Sequence, residues 1–72
     1  MDNLIALFKD INKKLDGVLT LEMTFGTVAK ITLLRGSKKI FTVSAASINA
    51  GVDIAFSKLL DYKKEVLPWI LL

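Results

Sequence analysis

Leu19-Thr20-Leu21-Glu22-Met23-Thr24-Phe25 is the stretch that decides how this chain is read. Leu19, Leu21, Met23 and Phe25 point one way and Thr20, Glu22 and Thr24 the other, the period of two that marks a half-buried strand. Gly26 marks a turn, after which Ala29, Ile31 and Leu33 continue the apolar face, with Lys30 and Thr32 on the polar side. Gly36-Ser37 marks a second turn before a third strand, Lys39 to Val43. Loop length follows from register, because opposed residues share a face and a one-residue slip inverts every side chain. A three-residue loop, Phe25 to Thr27, pairs Met23 with Ala29, Leu21 with Ile31 and Leu19 with Leu33. A two-residue loop at Gly26-Thr27 would set Met23 against Lys30. Three residues are preferred at the second turn as well: they bring Phe41 onto Ile31 or Leu33, whereas a two-residue Gly36-Ser37 loop opposes Ile31 to Thr42.

On either side of this meander the period is helical. Leu4, Phe8, Ile11 and Leu15, with Ile5 and Leu7 beside them, form the apolar stripe of a helix predicted over 3–15. Asp2 or Asn3 is expected to accept its first free amides, Lys13 and Lys14 to sit at the negative end of its dipole, and Gly17 to stop it. Ile48, Val52, Ala55, Leu59, Tyr62 and Val66, widened by Phe56 and Leu60, mark a second and longer helix. Ser47 or Asn49 is its expected cap. The low helix propensity of glycine places the start nearer Gly51 than Ser44, and Pro68 ends it. The pattern predicts one α+β domain over residues 1–72, a two-layer α-β-β-β-α unit in which both helices cover one face of a three-stranded antiparallel meander. The threonine-rich face is left over.

Composition narrows the function classes. The chain has 72 residues and neither cysteine nor histidine, so disulfides, thiolate metal sites and the commonest general base are all excluded. Ser37 beside Lys38 reads as a turn and Asp61 with Glu65 as a solvated pair, so no enzyme site, metal or cofactor is expected. Met1-Asp2-Asn3 lacks a basic leader and the following apolar residues alternate with charges, so a cytoplasmic protein with no membrane span is expected. The hydrophobic content of 53% is high for so small a domain and leaves apolar surface over for a homo-oligomer or a protein partner.

The charges are unevenly placed. No acid lies between Glu22 and Asp53, and Lys30, Arg35, Lys38 and Lys39 fall in that interval. The other six lysines face seven acids, a balance of −1, so the net +3 belongs to the second hairpin. Such a tip suits nucleic-acid phosphates, and lysines that keep an edge strand from aggregating are the competing explanation. With a single arginine, bidentate reading of guanine is nearly closed, so little sequence selectivity is expected. The polar face, Thr20, Glu22, Thr24, Lys30, Thr32, Leu34, Ile40 and Thr42, is a second candidate surface, with Leu34 and Ile40 as its apolar contacts. The third is the apolar C-terminal tail over 68–72, where Trp69, Ile70, Leu71 and Leu72 follow Pro68 and are expected to dock on the core or on a twin subunit.

Thr27-Val28-Ala29-Lys30-Ile31-Thr32, Arg35-Gly36-Ser37-Lys38-Lys39-Ile40-Phe41-Thr42-Val43 and Gly51-Val52-Asp53-Ile54-Ala55-Phe56 together resemble the three-stranded-sheet DNA-binding domains of phage integrase arms and plant ethylene-response factors. The resemblance implies a sheet laid in the major groove, with contacts from Lys30, Thr32, Arg35 and Lys39. It covers roughly half the chain, lacks the arginine and tryptophan strand contacts of those families, and adds a leading helix. The element order also resembles double-stranded RNA-binding domains, although Lys38 and Lys39 here open a strand. The expectation is a self-associating nucleic-acid-binding module, an accessory or regulatory protein of a phage or mobile element. The alternative is an adaptor or inhibitor that binds a host protein.

Overall fold

The structure, a computed structural model, describes residues 1–68. Its elements are α1 (Asp2–Lys14), β1 (Leu19–Phe25), β2 (Ala29–Arg35), β3 (Lys38–Ala45) and α2 (Ile48–Val66). The strands form an antiparallel sheet in the order β1-β2-β3, so the α+β class and the α-β-β-β-α order are as predicted. The expected tail residues Trp69, Ile70, Leu71 and Leu72 lie outside the described residues.

The apolar face of the sheet is the one expected. Leu19, Ala29, Ile31, Leu33 and Val43 are buried on it and pack with Leu4 and Ile11 of α1 and with Val52, Ala55, Leu59 and Tyr62 of α2. Leu67, just past α2, closes this core, while Ile48, the first residue of the predicted α2 stripe, stays exposed.

Register departs from expectation at both turns. The first loop has three residues, but they are Gly26 to Val28, so Met23 pairs with Ile31, Leu21 with Leu33 and Leu19 with Arg35. The shift by two residues preserves the faces, which is why periodicity alone could not detect it. At the second turn Arg35 pairs with Lys38, a two-residue loop. Gly36 has φ +62° there, the left-handed conformation that a tight hairpin demands at its first central position. The register then shifts between Leu33 and Leu34: Leu34 pairs with Lys39 and Leu33 with Phe41, leaving Ile40 as the extra residue of a β-bulge. The bulge sets Phe41 opposite Leu33 on the apolar face, one of the two pairings expected, through a two-residue loop and an extra residue in place of a three-residue loop. It also takes Ile40 out of the threonine-rich face and packs it against the core.

Helix ends also differ in detail. Met1 is the N-cap of α1 and no side chain caps it, so neither Asp2 nor Asn3 accepts the first amides; Asp2 lies within the first turn. Past its C-terminus Asp16, at φ +61°, turns left-handed ahead of Gly17, whose N–H donates to the Asn12 carbonyl at 2.8 Å. Asn12 Oδ1 in turn accepts from the Leu19 N–H at 2.8 Å and ties the helix end to β1. Ser47 caps α2, its hydroxyl accepting from the Ala50 N–H at 3.2 Å. Gly51 is therefore inside the helix rather than at its boundary, and the reason is a close approach: an added Cβ would lie 3.2 Å from Ala29 Cβ and 3.6 Å from Ala45 Cβ.

Candidate nucleic-acid interface

Hairpin geometry sorts the basic residues onto different surfaces. Lys30 is exposed on the open face, opposite Thr24 and Ser44. Thr32, at the centre of that face, is only 7% exposed, and its hydroxyl lies 3.3 Å from that of Thr42. Burial removes Thr32 as a direct contact, although the sequence pattern alone gave it the same rank as its exposed neighbours. Leu34 is half-buried on the same face and faces Lys39. Arg35 and Lys38 oppose each other at the end of the hairpin, on the side that carries the helices.

Arg35, Lys38 and Lys39 are brought together around one cleft of ≈ 350 Å³, completed by Ile40 and by Tyr62, Glu65 and Val66 of α2. A smaller hollow of ≈ 210 Å³ continues it along Phe41, Lys58 and Asp61. Tyr62 was legible in the sequence only as one more position of an apolar stripe. Its ring is buried as expected, but its hydroxyl accepts from Arg35 Nη1 at 3.5 Å, which holds the guanidinium at the mouth of the cleft.

The C-terminal ends of both helices lie at this end of the molecule. Gly36 N–H donates to the Val18 carbonyl at 3.0 Å, and Lys63 of α2 meets Asp10 of α1 at 3.3 Å. Lys13, Lys14, Lys63 and Lys64 occupy the last helical turns, where positive charge offsets the partial negative charge of free carbonyls. Asp10 also binds Lys14 at 3.0 Å, and the hydrogen bonds from Lys14 and then Lys63 lower its pKa below the ordinary carboxylate value. Those lysines thus have local roles. Arg35, Lys38 and Lys39 differ: among the described residues the only ion pairs are those of Asp10, and Glu65 lines the cleft without pairing to any of the three.

Among the described residues no three histidine, cysteine, aspartate or glutamate side chains group as metal ligands, and no helix is long and apolar enough to cross a membrane. No protein-family model matches this chain, and no curated protein or solved structure shows significant similarity to it.

Proposed function

We propose that the protein is a non-enzymatic binding module whose second hairpin contacts the phosphate backbone of nucleic acid with little sequence selectivity. The observation that carries this reading is the convergence of Arg35, Lys38 and Lys39 on one cleft where, among the described residues, none of the three is ion-paired, not even to Glu65 of the lining. Unpaired cations fixed at a hairpin end gain by displacing the counterions condensed on a polyanion. Base reading has little support at this end: Arg35 is the chain's one arginine and already engages Tyr62, whose buried ring offers no stacking platform. The major-groove contacts implied by the integrase-arm resemblance reduce to Lys30 on the open face and Lys39 on the edge strand, which also lines the cleft, with Arg35 turned to the helix side.

The test is fluorescence anisotropy with labelled duplex DNA, single-stranded DNA and RNA, over salt from 50 to 200 mM. The expected result is binding at low salt that weakens steeply as salt rises. R35Q/K38Q/K39Q should lower affinity and flatten the salt slope by at most about three. No binding at low salt, or equal affinity in the triple variant, overturns the reading.

A second reading rests on a separate observation. Phe25, Val28 and Ile48 are exposed at the opposite end of the sheet, a small apolar surface suited to a protein partner. A protein that ignores nucleic acid at low salt would be read as an adaptor or inhibitor acting through that end.

A further inference from the structure

The sheet has two edges, and only one is guarded. β3 carries Lys38, Lys39 and the bulge at Ile40, three devices that discourage a further strand from pairing. β1, at the other edge, runs for seven residues with no lysine, no proline and no bulge, and Glu22 is its one charge. We propose that β1 pairs antiparallel with β1 of a second copy of this chain, joining two sheets into one six-stranded sheet with Met23 on the two-fold axis.

Backbone phase supports that register. The bond from Gly36 N–H to the Val18 carbonyl makes this pair a hydrogen-bonded one, and such pairs recur at every second residue of an antiparallel ladder. Thr20, Glu22 and Thr24 therefore bond toward β2, while Leu19, Leu21, Met23 and Phe25 turn their N–H and C=O groups to the free edge. Leu19 confirms the phase, because its outward N–H is the one taken by Asn12 Oδ1. Among the described residues nothing takes the outward groups of Leu21, Met23 and Phe25.

Symmetry then selects among the registers. Centring on Met23 sets it against itself and Leu21 against Phe25 of the second copy, so every open position is matched with another. On the polar face Glu22 falls opposite Thr24. Centring on Glu22 opposes two like charges, and centring on Leu21 requires the Leu19 N–H that Asn12 already holds. The side chains agree with this choice: Leu21 and Met23 are half-buried and Phe25 is 42% exposed on the apolar face, where a continued sheet would cover them. A second copy is the fitting occupant because the edge is complementary to itself, apolar against apolar and carboxylate against hydroxyl.

The chain has no cysteine, so a single cysteine reports on its own position. A residue on the two-fold axis, in a hydrogen-bonded pair, lies about 5.5 Å Cα to Cα from its copy, inside the range of about 4.4–6.8 Å that a disulfide spans. M23C should cross-link into dimers under mild oxidation, while T42C on β3 should not. Sedimentation of the full chain at tens of micromolar should give twice the chain mass. M23P, which removes an outward N–H together with a half-buried side chain, should halve that mass with the circular dichroism retained, and T42P should leave it unchanged. A monomeric native protein, a folded M23P that remains dimeric, or equal cross-linking of M23C and T42C each overturns the proposal. If M23P does not fold, the cysteine pair decides alone.

Discussion

The two ends of α2 meet the sheet in different ways. At its start Gly51 lies over Ala29 and Ala45, and helix and strand approach until an added methyl would press on Ala29. Toward its end Leu59, Tyr62 and Val66 share the core with Leu33 and Phe41, and Tyr62 meets Arg35. Small residues line the close end of the layer, and the larger Tyr62 and Val66 line the cleft among the hairpin cations at the other. The comparison teaches that the candidate site is framed by large side chains at one end of the helix as well as by the lysines.

The largest expected effect comes from the end lined by large side chains. Leu59 is fully buried, so Leu59→Ala should cost about 2–5 kcal/mol, a large part of the roughly 5–15 kcal/mol typical of whole domains. Urea denaturation measures it, and a loss below about 1 kcal/mol would show that this end is not packed as described. At the narrow end the opposite change should hurt. Gly51→Val forces branched bulk against Ala29 and should destabilise by about 1–3 kcal/mol. The milder Gly51→Ala sets a helix-propensity gain of roughly 0.5–1 kcal/mol against the tight contact. A stabilising Gly51→Val, read as a higher urea midpoint, would remove the contrast between the ends.

The smallest effect sharpens the electrostatic side of the comparison. Because the folded protein holds the Asp10 carboxyl below its ordinary pKa, its contribution is full above the unfolded carboxylate range and fades as pH falls through the lowered value. Asp10→Asn should therefore lower the urea midpoint slightly at pH 7 and leave it unchanged at the acid end. The group is well exposed and its pairs are screened, so added salt should erase the difference. A variant whose deficit grows toward low pH would contradict the sign.

Legibility in the sequence tracked how local each feature is. The alternation in 19–25 and the four-residue rhythm of 48–66 disclosed the elements and their inward faces, and Ser47 was readable as a cap. The register of the first hairpin was not, since a shift by two residues keeps every side chain on its face; in the second, the pairing of Phe41 with Leu33 was legible but the two-residue turn was not. The bulge at Ile40 was hidden for a related reason: a tight Gly36 turn and an apolar Phe41 make contradictory demands on register, and only an extra residue meets both. Among the candidate contacts, Lys30, Arg35, Lys38 and Lys39 are exposed as the charge pattern suggested, whereas Thr32 is covered by its neighbours on the central strand.

By itself, then, the sequence determined the order of elements, the face each one buries and the concentration of positive charge in the second hairpin, because periodicity and charge are properties of neighbouring residues. Tertiary structure alone decided that Gly51 is a contact rather than a boundary, that Tyr62 reaches Arg35, and that one edge strand carries a bulge while the other does not. Each of these depends on the volumes and backbone phase of segments far apart in the chain, which meet only when the layers close.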